Sequence, residues 1–178
     1  WIREGKEYSF GHLEQMAADA KPFKALIDPD APAFVPAGNI PERIRRYCRE
    51  SGQRVPENEA EIVRCIDESL AFKYRMTLEE IKMCTGREYP AIHMVGGGTQ
   101  SGLLCQMTAN ACHCPVIAGP VEATVLGNAA VQLLAAGELR DLDQVRSVAG
   151  ASAKVSIYEP KDTDQWEQVY GQYKKMLE

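Results

Sequence analysis

No block of lysine and arginine interrupts this sequence, and its formal net charge is -5. An acidic chain without a basic run is a poor partner for nucleic acid or an anionic membrane, so neither is expected. No apolar run approaches the roughly 20 residues needed to cross a bilayer. The opening stretch WIREGKEYSF is polar and mixed, which argues against a secretory leader. It starts at Trp1 rather than methionine, with no cap or turn, and reads as the continuation of a longer chain. There is no C-x-x-C pair, no internal repeat and no low-complexity tract. Cysteines are present at positions 48, 65, 84, 105, 112 and 114, spread through core-like segments. A secreted disulfide scaffold would be shorter and richer in loops, so free thiols in a reducing cytoplasm are expected. What remains is ordinary for one globular domain: 178 residues, 45% hydrophobic and 25% charged.

Residues 1–38 carry little periodicity and are broken by Pro22, Pro29, Pro32 and Pro36, with a helical turn or two expected over Gly11–Ala20. Asn39 and Glu42 have the spacing of a capping box ahead of a helix that Ser51-Gly52 ends. Asn58 and Glu61 repeat the pattern. Behind them Ile62, Ile66, Leu70, Tyr74, Leu78 and Ile81 run close to a 3.6 period, which predicts a long amphipathic helix over 59–84, ending near Gly86. The pattern then changes. YPAIHMVGGG predicts a short buried strand over 91–95, SGLLCQMTANAC a helix facing inward through Leu103, Leu104, Met107 and Ala111, and CPVIAG a second strand over 115–118. VEATVLGNAAVQLLAAGE predicts a third helix, in which Ala123, Gly127 and Ala130 permit close packing. Strands separated by helices of this length point to a parallel α/β sheet. A short helix near 141–148, the extended piece VSIYEP and a helix near 163–177 complete the reading.

The sharpest feature is HMVGGGTQSG, residues 93–102, where three glycines leave a strand and enter a helix. Such a turn lets a ligand lie against bare backbone. A helix start adds N–H groups and a positive dipole end, and Thr99 and Ser101 add hydroxyls. A nucleotide or another phosphate-bearing molecule is the expected ligand. The same residues also fit a tight structural corner with no ligand. They fit a dinucleotide-binding module too, because Gly96, Gly98 and Gly102 give G-x-G-x-x-x-G with Glu122 after the next strand.

A longer pattern surrounds the turn. Gly96–Gly98 with Ser101 are followed by Gln106, Ala109 and Asn110, then Pro115 and Val116, then Glu122, Ala123, Leu126, Gly127 and Ala129. At this spacing, over more than 40 residues, the segment resembles the adenosine-site region of the FGGY carbohydrate kinase family. AGPVEATVLGN, FVPAGNIPERIRRYC, ESLAFKYR and the late YEP are similar to its rhamnulokinase branch, which extends the resemblance over Ala33–Pro160. The resemblance implies an actin-like, ribonuclease H-like C-terminal domain, truncated at its N-terminal strands, helix-rich with a short parallel sheet. It divides the chain into an irregular lead-in over 1–38, a core over 39–150 and an extension over 151–178. It implies ATP and Mg²⁺ as cofactors, a ketose such as L-rhamnulose as the substrate of the whole enzyme, and an N-terminal kinase domain as partner. By the same match Gly96, Gly97, Gly98, Thr99 and Ser101 bind the nucleotide, Gly97 foremost. The catalytic aspartate and first phosphate loop of the family lie in its N-terminal domain, so no catalytic residue is assigned here and the chain alone is expected to be inactive. A non-catalytic interaction domain of actin-like descent is a third reading.

Several residues carry blander expectations. Cys105, Cys112, His113 and Cys114 are read as packing residues, since neighbours in a C-H-C run do not readily all face one ion. Cys48 and Cys65 lie late in one expected helix and early in the next, where an antiparallel pair would bring them within reach of a disulfide, with free thiols the expected state in a reducing cytoplasm. Arg43, Arg45, Arg46 and Arg49 are read as a solvated helix face, Glu122 as the cap of its own helix, and His93 as a satisfied core histidine. Loss of strands ahead of Trp1 would leave an edge of the 91–95 strand bare, to be covered by residues 1–38, by VSIYEP or by self-association.

Overall fold

The computed structural model describes residues 1–2 and 5–177. Four helices precede or flank the glycine turn: α1 (Phe10–Asp19), α2 (Ile40–Glu50), α3 (Glu59–Thr85) and α4 (Gly102–Cys112). Three more follow as α5 (Ala123–Ala135), α6 (Leu142–Ser152) and α7 (Thr163–Leu177). The strands are β1 (Ile92–Met94), β2 (Val116–Ala118) and β3 (Ser156–Tyr158), in the order β1-β2-β3. β1 and β2 are parallel, with Ile92 beside Val116 and Met94 beside Ala118, and α4 connects them as expected. The sheet is mixed, however, because β3 runs antiparallel to β2. VSIYEP therefore covers β2, and the outer edge of β1 has no partner strand among the described residues.

Both expected helix starts are present. The Asn39 side chain accepts from Glu42 N at 3.1 Å and that of Asn58 from Glu61 N at 3.0 Å. Each satisfies an amide that the helix itself leaves unpaired. Gly86, in the left-handed region, ends α3 at the residue expected. The lead-in is more ordered than its prolines imply. Ser9 caps α1, and Ala17, Ala25, Leu26 and Ile27 are all buried. One core joins the two ends of the chain: Leu26, Phe72, Met107, Trp166, Tyr170 and Tyr173 pack together, with Phe72 stacked 5.2 Å from Tyr173. A second gathers Ile27, Ile44, Cys48, Ile62 and Cys65.

The buried face of α3 corrects the expected stripe. Ile62 is buried, but the inward face continues through Cys65, Glu68, Ser69 and Phe72, while Tyr74 and Ile81 are 38% and 43% exposed. A strict four-residue step turns slowly around a 3.6-residue helix, so the stripe drifts off the core. Its far end lines an open apolar depression with Tyr89, Ala91 and Ile92.

α4 is buried on nearly every side, lying against α3, α7 and one face of the sheet. Cys105 and Ala109 meet Val116, Ala118, Ile92, Met94 and Tyr158 there. The other sheet face is open. His93 is exposed rather than buried, and Ile157 and Val95 are 64% and 54% exposed. The expectation of a buried strand fails because, among the described residues, no helix crosses that side. α5 packs mainly on α6, only its Ala130 is buried, and a Cβ at Gly127 would meet nothing within 4 Å. Gly127 therefore does not mark a close helix contact among the described residues.

Candidate functional site

Gly96 leaves β1 at φ 82°, and Gly97–Gln100 form a single 3₁₀ turn before α4. Two contacts fix the entry: Gly119 N donates to Met94 O at 2.9 Å and Gly96 N to Pro120 O at 3.2 Å. The Thr99 hydroxyl turns back onto Gly96 O at 2.7 Å. Ser101 caps α4, its hydroxyl accepting from Leu104 N at 3.1 Å.

The three glycines differ in what the fold asks of them. At Gly96 the positive φ disfavours any L side chain. Gly97 and Gly98 have no such φ; a Cβ at Gly97 would meet nothing within 4 Å, and one at Gly98 only Met94 Sδ at 4.0 Å. Gly97 and Gly98 are exposed, so open space lies in front of the turn.

The start of α4 is not free, contrary to the expectation from the sequence. Leu103 N donates to Oε1 of Glu14 at 2.6 Å, and the Ser101 hydroxyl donates to the same oxygen at 3.3 Å. Glu14 sits on α1, 89 residues from Leu103, and no motif spacing announced it. A dinucleotide pyrophosphate, which rests on a helix N-terminus, meets a carboxylate at this one. The neighbouring Asp67 is pushed up to about 6 by burial and then by the negative charge of Glu14.

Other motif residues serve the scaffold. Gln106 Nε2 donates to Asn110 Oδ1 at 2.8 Å and to Glu159 O at 2.7 Å, and Asn110 Oδ1 accepts from Lys161 N at 2.9 Å, which pins the exit of β3 to α4. Glu122 occupies the N-cap position of α5, but its side chain forms no capping bond and is exposed. The arginines of α2 are structural in part: Arg43 holds the carbonyls of Pro36 and Ala37, and Arg45 that of Pro56 at 3.1 Å. Cys48 and Cys65 are free thiols packed in one core cluster, and their proximity lowers the pKa of Cys48 and raises that of Cys65. Burial pushes Cys112 up to about 12. Among the described residues no group of three or more His, Cys, Asp or Glu is placed to hold a metal ion. Nor is any helix long and apolar enough to cross a membrane.

Residues 1–136 match the profile described as "FGGY family of carbohydrate kinases, C-terminal domain". A rhamnulokinase of Bacteroides thetaiotaomicron is 40% identical over 169 residues, which are 95% of this chain and 35% of that protein. A rhamnulokinase of Enterococcus faecalis is 38% identical over 160 residues, 89% of this chain and 32% of that one. The chain thus spans about a third of the length of the curated relatives it matches. Among solved structures, Plasmodium falciparum glycerol kinase with ADP gives a TM-score of 0.69 at 15% identity, covering 99% of this chain and 35% of the other. Xylulose kinase from Rhodospirillum rubrum gives 0.64 at 17%, covering 98% and 35%. At these identities the likeness is one of fold, a mixed sheet with helices.

Proposed function

Since this chain belongs to the C-terminal domain of the FGGY family of carbohydrate kinases, we propose that it is the nucleotide-binding portion of an ATP-dependent sugar kinase whose glycine turn receives the nucleotide. The observation that carries this is the state of Gly97 and Gly98. Neither a positive φ nor a crowded Cβ requires glycine at these positions, and the space before them is open. A flat group laid on the backbone would account for both residues, because any side chain would hold it off.

The whole enzyme would transfer the γ-phosphate of ATP to a ketose, with L-rhamnulose favoured by the two rhamnulokinase relatives. Gly96, Gly97, Gly98, Thr99 and Ser101 form the nucleotide face of this portion. The hydroxyls of Thr99 and Ser101 already shape the turn and the cap, which leaves backbone as the main contact surface. ATP supplies the phosphoryl group when bound. This chain offers no acidic cluster for Mg²⁺ among the described residues, so the ion would be held by the nucleotide phosphates and the remaining domain. An N-terminal kinase domain is the proposed partner, the cytoplasm the proposed location, and the chain by itself is expected to turn over no sugar.

The test is Gly97→Ala in the intact two-domain enzyme, measured by titration calorimetry with ADP. The melting temperature should not fall, because the new methyl meets empty space. ADP affinity should drop at least about tenfold, roughly 1.4 kcal/mol. A folded variant that binds ADP like the wild type would make the turn a structural corner only.

A further inference from the structure

Glu14 is a carboxylate in an unusual place. It projects from α1 into the first turn of α4, where Leu103 N meets it at 2.6 Å and the Ser101 hydroxyl at 3.3 Å. Among the described residues no lysine, arginine or histidine forms a salt bridge with it. Its charge is met by the amides and the positive dipole end of α4, the place where a phosphate would otherwise be welcome. Gly102 lies beside the same contact. A Cβ there would stand 3.2 Å from the Tyr158 hydroxyl and 3.6 Å from Glu14 Oε1. The last glycine of the sequence motif thus makes room for the Tyr158 hydroxyl, with the Glu14 carboxylate at ordinary contact distance beside it.

The carboxylate is held there by more than one helix. α1 lies along α3, and Arg64 of α3 donates to the carbonyls of Ala17 and Ala18 at 3.0 Å, tying down the C-terminal end of α1. Arg64 is itself fixed by Glu68 at 2.7 Å.

We propose that Glu14 is the specificity residue of the glycine turn: its carboxylate fills the anion seat at the start of α4 and shuts phosphate out of it. Resting on the nucleotide reading above, the consequence is directional. A nucleotide on Gly96–Ser101 presents its uncharged nucleoside toward α4 and leads its phosphates away from that helix, toward the rest of the enzyme. A phosphate approaching Leu103 and Leu104 meets a like charge and two amides already in use.

The experiment uses the isotope-labelled 178-residue chain and two probes, inorganic phosphate at matched ionic strength and adenosine. In the wild type, phosphate should leave the Leu103 and Leu104 amide resonances in place. In Glu14→Ala these two amides should shift saturably, with phosphate bound about tenfold more tightly than by the wild type. Glu14→Gln keeps an acceptor oxygen and the side-chain shape, and should respond between the two; it is the deciding variant if alanine does not fold. A wild type that answers phosphate as strongly as the folded variants would overturn the proposal, as would folded variants that do not answer at all. Adenosine judges the other reading separately. If it moves none of the 96–101 amides while phosphate separates wild type from variant, Glu14 keeps its role and the nucleoside assignment falls.

Discussion

Glu68 offers the sharpest test of the energetics that hold this site in place. It lies on α3 at 1% exposure, accepting from Arg64 Nε at 2.7 Å and from Phe23 N at 2.9 Å. It thereby ties the 21–27 segment to α3, and through Arg64 it ties down α1, which carries Glu14. Burial pushes its carboxyl from 4.5 up to about 7, against the pull of Arg64. The folded protein therefore holds this proton more tightly than the unfolded chain does. The stability it contributes is fully present below pH 4.5 and is lost as pH rises through 7. At about 1.4 kcal/mol per pH unit, the loss across that window is about 3 kcal/mol. Asp67, pushed up to about 6, acts with the same sign. Urea unfolding of wild type and Glu68→Gln from pH 4.5 to 8 isolates the Glu68 part, because glutamine cannot titrate and the other groups cancel in the difference. The advantage of wild type over the variant should shrink by about 3 kcal/mol across the range. A difference that stays level, or grows toward pH 8, would show that Arg64 keeps Glu68 ionised throughout and that burial does not decide its charge.

Three further outcomes follow from particular residues. Gly96→Ala should destabilise the chain by about 1–2 kcal/mol, since φ there is 82°, whereas Gly97→Ala should not; equal melting temperatures for the two would refute the turn geometry. Among the described residues the buried Tyr173 hydroxyl has no hydrogen-bond partner, so Tyr173→Phe should stabilise by about 1 kcal/mol in a denaturant titration. A loss of stability there would mean that the hydroxyl has an internal partner. The isolated chain should self-associate through its open sheet face and the bare β1 edge. Ile157→Lys, at a position 64% exposed on that face, should lower the mass seen by light scattering; a wild type that stays monomeric at high concentration would count against this.

Much of the chain was legible from its sequence because the deciding interactions are local. The Asn39 and Asn58 caps, the stop at Gly86 and the bounds of α3, α4 and α7 each depend on residues three or four apart, which hydrogen-bond or pack whatever surrounds them. The glycine turn between β1 and α4 was legible for the same reason, with Gly96 required by its own backbone angle. Tertiary structure alone decided the remainder. Glu14 meets Leu103 across 89 residues and Glu68 meets Phe23 across 45, so neither leaves a spacing in the sequence. Whether an apolar residue is buried depends on a second element arriving to cover it. Leu26 and Phe72 are covered by α7, while Ile157, Val95 and most of α5 face no partner among the described residues, although their composition reads as interior. Strand direction is decided in the same way. VSIYEP reads only as extended, and its antiparallel pairing with β2 follows from where Gln106 and Asn110 anchor the chain beyond it. Local hydrogen bonds and periodicity select each element, and the long-range meeting of side chains decides which face of it becomes a core and which a site.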